Sequence, residues 1–299
     1  MMSLGDLVVR KSYGGDVTFR VEDIQRDKAI IKGTEFRLLA DSPVNDLVRV
    51  PADQVSGKTQ QAHIKAGESL NLLQRARQQQ AARSQAALIG EWSDPVESTY
   101  FEMPGKVLHL DGDPGYLRKC LSLYEQLRVP AEGHHVHESA MADTLYRLLP
   151  RIRPDIVVIT GHDGVLKQPQ PYDLYSLKSY KNSQNFVAAI QVARQYERHL
   201  DSLTIVAGAC QSHFEALLRA GANFASSPGR ILIHALDPVY VAAKAAFTSI
   251  RDTVNMGDLF HQTISGSRGV GGIETRGSYR IGLPKLENLS TLKVTPSAI

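Results

Sequence analysis

The chain has 299 residues, of which 42% are hydrophobic and 22% are charged, and these proportions are ordinary for a globular protein. No run of about 18 apolar residues occurs and the N-terminus lacks the apolar segment of a signal peptide, so neither a membrane span nor a secretion signal is predicted. Two cysteines are too few for a disulfide framework and fit a reducing compartment, and the net charge of +3 neither demands nor excludes a polyanionic partner.

Residues 1–55 have the pattern of a small β-domain. Short segments alternate apolar and polar residues, and Gly14-Gly15 marks a turn between the first two. About five such strands in about 50 residues are typical of an SH3-like β-barrel. Residues 57–92 are then rich in Gln, Ala and Arg with a thin apolar stripe, which predicts a solvated helical linker within residues 56–100. A coiled-coil contact or an RNA-binding arm is the alternative for this segment.

Residues 101–299 alternate apolar strands with helices. Strands are predicted at residues 106–113, 133–137, 155–160 and 202–209, and from 230 onward. Helices are predicted at residues 114–129, 138–152, 185–200 and 213–222. Because the strands are almost continuously apolar, the pattern predicts a parallel sheet covered by helices on both faces, which is an α/β/α sandwich.

Chemically capable side chains follow three of these strands. Asp111 and Asp113 end the first strand, His162 follows the third and Cys210 follows the fourth. In an open parallel sheet, sites form beyond the carboxyl ends of the strands, so these side chains are expected to meet there. A free thiol is mostly protonated at neutral pH, and a neighbouring imidazole and the start of the next helix would both favour the thiolate. The pattern therefore predicts Cys210 as a nucleophile and His162 as its general base.

The same pattern resembles two groups of known peptidases. A strand that ends in histidine, followed about 50 residues later by a strand that ends in Ala-Cys, resembles the caspase, legumain and clostripain clan of cysteine peptidases. Longer blocks resemble the YabG family of sporulation-specific peptidases, in the order GDLVVRKSYGGDVTFR, PGKVLHLDGD, RPDIVVITGHD, AGACQSHFEALLRAGANFASSP, IHALDPVY and GGIETRG. The resemblance implies a caspase-like fold for residues 101–299 and no cofactor. It also implies an enzyme of the mother-cell cytoplasm or spore coat that cuts coat and morphogenetic proteins after basic residues.

The resemblance also implies roles for individual residues. It transfers the catalytic dyad to His162 and Cys210, and it makes the Cys210 backbone N–H an oxyanion donor. Members of the wider clan have glycine directly after the histidine, whereas this chain has Asp163, so the Asp163 N–H is a candidate but less direct second donor. A basic substrate side chain needs a carboxylate partner, and Asp111 and Asp237 are the hypotheses for it.

Other polar residues have simpler interpretations. Asp113 precedes a proline that opens a helix and is interpreted as a helix cap. The histidines of HHVH (134–137) match no zinc-motif spacing, so no metal site is predicted. His213 begins a predicted helix, where it could tune the thiol. Arg268 and Arg276 lie in a glycine-rich segment predicted to form a loop and hairpin, and they are candidate points of self-cleavage.

Two other functions stay open at this point. One is a non-catalytic adaptor of coat assembly, in which the barrel binds RNA or protein, because such barrels resemble KOW-type modules. The other is cysteine-dependent hydrolysis of a small amide, which the size of the pocket would distinguish. The intact His162 and Cys210 positions count against an adaptor, and a nucleic-acid partner is not expected.

Overall fold

A computed structural model describes residues 2–51, 56–91, 101–166 and 173–282 of the chain. An antiparallel sheet at the N-terminus is followed by a mostly parallel sheet with flanking helices, which confirms the predicted α/β class. Among the helices of these residues, none combines the length and the apolar character that crossing a bilayer requires.

The N-terminal sheet has five antiparallel strands. In chain order they are β1 (Leu7–Arg10), β2 (Phe19–Gln25), β3 (Lys28–Gly33), β4 (Leu39–Pro43) and β5 (Leu47–Arg49), with the spatial order β4-β3-β2-β1-β5. Side chains alternate between the two faces of each strand, and Val8, Val21 and Ile31 are almost fully buried in the core on the inner face. The short alternating segments of the sequence therefore correspond to real strands.

The second sheet has six strands, of which five are parallel. The remaining strands of the described chain are β6 (Phe101–Met103), β7 (Val107–Asp111), β8 (Ala131–His135), β9 (Ile156–Thr160), β10 (Thr204–Ala207), β11 (Phe224–Ser226), β12 (Val270–Gly272) and β13 (Arg280–Gly282). β6 and β13 form a separate pair, and the others lie in the order β12-β11-β10-β9-β7-β8, with β12 antiparallel to β11. The strand order reverses between β7 and β9, which is where an open sheet offers a site beyond its carboxyl ends.

Helices cover both faces of the second sheet. The helices of the described residues are α1 (Gly57–Glu91), α2 (Pro114–Leu127), α3 (Met141–Ile152), α4 (Ser183–Tyr196), α5 (Phe214–Ala220), α6 (Asp237–Phe247), α7 (Met256–Gln262) and α8 (Gly266–Gly269). Alternate residues of β9 belong to different cores: Val158 packs with α2 and α6, and Val157 packs with α3 and α4. Burial on both faces explains why these strands are continuously apolar.

The prediction of a solvated linker for α1 is wrong, although the helix itself is confirmed. Ala62 and Leu73 are buried in the same core as α6 and α7. The Tyr240 hydroxyl on α6 also donates to the Ala66 carbonyl oxygen at 3.0 Å. A thin apolar stripe is therefore enough to dock a helix whose other faces meet solvent. The rest of the predicted linker, residues 92–100, lies outside the described residues.

The strand predicted from residue 230 is also wrong. The 230–236 segment is irregular, and its β-contact is an isolated antiparallel bridge between Phe36 and His234. Two backbone hydrogen bonds support the bridge, from the Arg37 N–H to the Ile233 carbonyl oxygen (3.1 Å) and from the Ala235 N–H to the Glu35 carbonyl oxygen (2.7 Å). The apolar residues of this segment thus belong to a buried connection that pairs with the loop between β3 and β4. The strand that lies beside β10 in the sheet is β11.

Tyr116 on α2 joins the two sheets and gives a first testable prediction. Its hydroxyl lies 2.8 Å from the Gly33 carbonyl oxygen and 2.7 Å from the Phe36 carbonyl oxygen. Tyr116→Phe should lower the free energy of unfolding by about 0.5–1.5 kcal/mol, because the hydroxyl hydrogen bond to these carbonyls is lost while the Phe36 oxygen keeps the Leu38 N–H. Chemical denaturation beside Tyr146→Phe, at a residue that is 74% exposed, provides the measurement and its control. Equal stability of the two variants would contradict the prediction.

Candidate functional site

Cys210 and His162 follow neighbouring strands of the parallel sheet. β9 and β10 pair in register with Ile159 opposite Ala207, and each of the two candidate residues stands three positions beyond that pair. Both side chains therefore leave the sheet at the same level of its carboxyl edge. The structure brings the two predicted residues to one region, as the strand-end argument requires.

The Cys210 thiol is buried and neutral in this structure. Its sulfur accepts a hydrogen bond from the Ile233 N–H at 3.1 Å and lies 3.8 Å from the Ile233 carbonyl oxygen. Burial raises the pKa of the thiol to about 12, although the Ile233 N–H and the Arg37 guanidinium act in the opposite direction. The next helix, α5, begins only at Phe214, and burial has the larger effect on the thiol, so the predicted help from this helix stays a prediction.

The His162 ring is held at one nitrogen and is free at the other. Nε2 lies 3.0 Å from Asp113 Oδ2, while the backbone N–H donates to Glu138 Oε1 at 2.8 Å. The Tyr116 ring packs against the imidazole with the ring centroids 5.7 Å apart. Nδ1 is buried and has no hydrogen-bond partner within the described residues. This nitrogen is therefore available to accept a proton.

Asp163 ties together the two loops that carry the dyad. Its carboxylate accepts four hydrogen bonds, from the hydroxyls of Ser183 (2.5 Å) and Ser212 (2.8 Å) and from the backbone N–H groups of Asn182 (2.7 Å) and Gly164 (2.9 Å). Ser212 is two residues after Cys210, and Asp163 directly follows His162, so this one carboxylate fixes one loop against the other. The aspartate that stands where the wider clan has glycine thus has a structural role.

Removing the Asp163 carboxylate should loosen the dyad. We expect Asp163→Ala to lower the free energy of unfolding by about 2–4 kcal/mol, because several buried donors lose their acceptor. The rate of any reaction that needs both loops should fall at least about tenfold, since a small misplacement of reacting groups is costly. Denaturation and activity measurements beside Asp143→Ala, an exposed aspartate of α3, check both effects. If Asp163→Ala were as stable and as active as Asp143→Ala, Asp163 would have no role in the site.

Two backbone N–H groups border the same region. Those of Cys210 and Asp163 donate to no acceptor within the described part of the chain. Gly208 leads into Cys210 with a φ of 105°, and a Cβ there would lie 2.8 Å from the Leu217 side chain, so the turn requires glycine. These are the predicted oxyanion donors, and their role stays a prediction.

Asp111, predicted to bind a basic substrate side chain, is fully buried and already paired. Arg37, in the loop between β3 and β4, approaches it twice, with Nη1 3.1 Å from Oδ1 and Nη2 2.9 Å from Oδ2. Burial opposes ionisation of this carboxyl, but the guanidinium and His109 outweigh it and lower the pKa of Asp111 to about 2. A substrate would have to displace the chain's own arginine, so the geometry does not favour the predicted role.

Asp237, the other predicted substrate-binding carboxylate, is also fully buried. It is the first residue of α6, and it accepts backbone hydrogen bonds from Ile264 (2.7 Å), His234 (3.1 Å) and Ser265 (3.4 Å). Its carboxylate therefore anchors the 230–236 segment to the connection between α7 and α8. A substrate-binding role for Asp237 stays a prediction without a supporting contact.

One group of side chains within the described residues has the spacing to hold a metal ion. It consists of His109, Asp111 and Cys120. However, the Arg37 guanidinium already fills the group, 2.9 Å from Asp111 Oδ2 and 3.4 Å from the Cys120 sulfur. A metal cation would lie against this fixed positive charge, so these residues do not fit one. Two histidines of the HHVH segment have separate partners, His134 with Glu132 at 2.9 Å and His137 with Ser139 at 2.9 Å.

The remaining predicted residues lie in other contacts. The His213 ring has Nε2 3.0 Å from the Tyr175 carbonyl oxygen and Nδ1 3.2 Å from Glu215, so both of its nitrogens are engaged away from the thiol. Arg268 and Arg276 are exposed, and self-cleavage at either stays a prediction. The glycine-rich segment that contains them, residues 266–282, forms α8, β12, a loop and β13, and β13 pairs with β6 instead of forming a hairpin with β12.

Two residues near the site come from the N-terminal sheet, and sequence reasoning missed both. Lys32 on β3 places Nζ 3.4 Å from Asp113 Oδ2, and Arg37 pairs with Asp111 as described above. Basic residues are common on exposed strands and loops, so the local pattern gave no signal for either. The bridge to the 230–236 segment and the Tyr116 hydroxyl contacts with Gly33 and Phe36, which all join parts distant in sequence, bring them to the strand ends of the second sheet.

The family model and the sequence relative indicate the same family. A family model described as YabG peptidase U57 matches residues 3–284. A protein of Bacillus subtilis (strain 168) named sporulation-specific protease YabG is 46% identical over 296 residues, which cover 95% of this chain and 99% of that protein. Among solved structures, the isolated REC domain of RcsB from Salmonella enterica serovar Typhimurium is 17% identical and covers 40% of this chain and 74% of its own. Its TM-score of 0.26 is too low to inform the fold.

Proposed function

The chain belongs to the YabG peptidase U57 family, and from this premise we propose that it is a cysteine endopeptidase in which Cys210 is the nucleophile and His162 is the general base. The proposed substrates are spore coat and morphogenetic proteins of the mother cell, cut after basic residues. The name of the Bacillus subtilis relative supports a role in sporulation.

The observation that carries the proposal is the free Nδ1 of His162. This nitrogen is buried without a hydrogen-bond partner in the described residues, at the same level of the sheet edge as the Cys210 thiol. A buried acceptor without a partner costs free energy, so its retention is consistent with a task in the reaction. A general base must face the proton that it removes, and in this proposal that proton belongs to the Cys210 thiol.

The proposed reaction proceeds through an acyl-enzyme. The Cys210 S–H bond breaks as its proton moves to His162 Nδ1, and the sulfur attacks the carbonyl carbon of the scissile peptide. The resulting oxyanion accepts hydrogen bonds from the N–H groups of Cys210 and, in this proposal, Asp163. When the tetrahedral intermediate collapses, the leaving amine takes the proton from His162. Water then attacks the thioester with the imidazole again as base, which releases the acid product and the free thiol.

The resting state of Cys210 favours proton transfer during attack over a preformed thiolate. Because burial raises the pKa of the thiol to about 12, the protonated thiol predominates at neutral pH. The sulfur faces the Ile233 backbone, so it has to turn from Ile233 towards His162 before attack. A substrate that displaces the hydrogen bond from the Ile233 N–H would free the thiol, so substrate binding would itself activate Cys210.

The adaptor alternative has less support. It needs an N-terminal module whose surface is free to bind a partner, whereas this sheet contributes Lys32 and Arg37 to contacts at the strand ends of the second sheet. The loop between β3 and β4 also pairs with the 230–236 segment that contacts the thiol. We therefore propose that the N-terminal sheet supports the catalytic site, with substrate docking as an additional role.

A digest of purified spore coat proteins tests the proposal. Wild-type protein and Cys210→Ala are incubated with the same substrates, and new peptide termini are mapped by mass spectrometry. Cuts that are absent from the Cys210→Ala digest and follow Lys or Arg would support the function in full. Cuts that need Cys210 but follow other residues would reject the basic preference alone, and cuts that persist in Cys210→Ala would reject the mechanism.

A further inference from the structure

The two oxygens of the Asp113 carboxylate have different partners. Oδ1 accepts from the backbone N–H groups of Gly115 (2.7 Å) and Tyr116 (2.9 Å), as expected for the cap of α2. Oδ2 faces the other way, 3.0 Å from His162 Nε2 and 3.4 Å from Lys32 Nζ. A helix cap needs only one acceptor oxygen, so the cap confirms the sequence interpretation but does not account for Oδ2.

We propose that Asp113 is a positioning residue of the active site, which holds the His162 imidazole through Nε2 so that Nδ1 is left as the base. This inference rests on the proposed function, because it assigns the third member of the same site. A carboxylate can only accept a hydrogen bond, so Nε2 must carry the proton in the contact between the two side chains. In a neutral imidazole the other nitrogen is then the acceptor, and Nδ1 is the one without a partner in the described chain.

Asp113 is suited to this role because it stays ionised. Burial opposes its ionisation, but the hydrogen bond from His162, the Tyr116 N–H and the Lys32 ammonium together hold its pKa well below the ordinary value. A protonated Asp113 would be able to donate to Nε2 and so favour the wrong tautomer. Lys32 thus serves the site from the N-terminal sheet, by keeping the carboxylate in its accepting form.

The surroundings of the imidazole contain few competing groups. The Glu138 carboxylate accepts the backbone N–H of His162, and the Tyr116 ring covers one side of the imidazole. Asp163, the next residue along the chain, is engaged by two serine hydroxyls and two backbone N–H groups. Within the described residues, Asp113 is therefore the group that determines which ring nitrogen carries the proton.

The test compares Asp113→Asn with Asp113→Ala in the full chain. Both variants lose the carboxylate contacts with His162 and Lys32, but asparagine caps a helix as well as aspartate does, so Asp113→Ala should be less stable than Asp113→Asn by about 1 kcal/mol. The asparagine amide can instead donate to Nε2, which would move the proton to Nδ1 and block the base. We expect kcat of Asp113→Asn to fall roughly 10²- to 10⁴-fold with KM little changed, and to fall at least as far as that of Asp113→Ala.

A direct readout separates this inference from the proposed function. The tautomer of His162 is read from the ¹⁵N shifts of its ring, with its signal identified by its loss in His162→Gln. We expect protonated Nε2 in the wild type and a shift towards protonated Nδ1 in Asp113→Asn, whether or not a substrate is cleaved. An unchanged tautomer would overturn the inference even in an active peptidase. If Asp113→Ala were both the less stable and the less active of the two variants, Asp113 would be only a helix cap, which would also overturn the inference.

The contribution of Lys32 is tested on the same strand. Lys28 also lies on β3, but its side chain is 62% exposed and pairs with Asp41 at the surface. Lys32→Met should lower kcat several-fold while Lys28→Met leaves it unchanged, because only Lys32 touches the carboxylate that holds His162. If kcat changed equally in Lys32→Met and Lys28→Met, the proposed role of Lys32 would be wrong.

Discussion

Replacing Cys210 with alanine is expected to reduce kcat/KM for peptide cleavage by at least about 10⁴-fold while the protein stays folded. The reaction proposed for this site has no substitute for the sulfur, because the neighbouring Ser212 hydroxyl already donates to Asp163. The fold should survive, since the substitution removes one buried atom and costs about 1–2 kcal/mol. Cleavage rate and thermal unfolding, measured on the same preparation, check the two parts.

Cys120 provides the matched control for this experiment. Like Cys210, it is fully buried, its thiol pKa is raised by burial to about 12, and its sulfur lies near a backbone carbonyl of the 230–236 segment, 3.6 Å from the Ala235 oxygen. Cys120→Ala should therefore lose a similar amount of stability yet keep its activity within a few-fold. If both variants lost activity in proportion to their stability, Cys210 would be a structural residue and not the nucleophile.

Replacing Arg37 with methionine is expected to lower the free energy of unfolding by about 3–5 kcal/mol. Arg37 and Asp111 are both fully buried and face each other at 2.9 Å, and Arg37 also donates to the Ala235 carbonyl oxygen at 3.0 Å. Methionine has a similar length but no charge, so the variant would bury an aspartate that has lost its counter-ion. That penalty is as large as the cost of truncating a large buried apolar side chain.

The pH dependence of this effect has a definite sign. In the wild type the pKa of Asp111 is lowered to about 2, so its ion pair contributes stability above the ordinary aspartate pKa and loses it as the pH falls towards 2. In Arg37→Met the burial of Asp111 is less opposed, so its pKa should rise and the neutral form should be favoured. The stability gap between wild type and variant is therefore expected to narrow on acidification from pH 7. Urea unfolding at several pH values measures it.

Two further variants complete the comparison. Arg20→Met removes an exposed arginine of β2 and should change stability by less than about 0.5 kcal/mol. Arg37→Met combined with Asp111→Leu removes both charges and should regain part of the loss, because an apolar pair can replace a buried ion pair. A double variant no more stable than Arg37→Met would show that the loss came from packing and not from the unpaired carboxylate.

Much of the second sheet could be predicted from the sequence because its signals are local. Nearly continuous apolar runs predict the strands β7, β9 and β10. The polar residues directly after β9 and β10 predict His162 and Cys210 as site residues. The helix cap at Asp113 was readable for the same reason, since Asp-Pro before an apolar periodic segment is a local pattern. The prediction placed these side chains at one edge because parallel strands share a carboxyl end.

Contacts between distant parts of the chain could not be read in this way. The 230–236 segment has the letters of a strand, but its partner is the loop around Phe36, nearly 200 residues earlier. The substrate-binding hypotheses failed to find support for a related reason. Asp111 looked like a free carboxylate at a strand end, and nothing near it in sequence shows that Arg37 neutralises it. Burial of Cys210, which raises its pKa, also depends on this clamp and not on the residues beside it.

The bridge between Phe36 and His234 also bears on when the protein becomes able to react. During synthesis the N-terminal sheet leaves the ribosome first, whereas the backbone that lines the thiol follows only after residue 230. Pairing over this separation requires closure of a long loop, which is a slow and late event in folding. Nascent chains and fragments that end before this point contain Cys210 without the Ile233 backbone that contacts its sulfur. The site around Cys210 is therefore complete only after the segment beyond residue 230 has been made and paired with the N-terminal sheet.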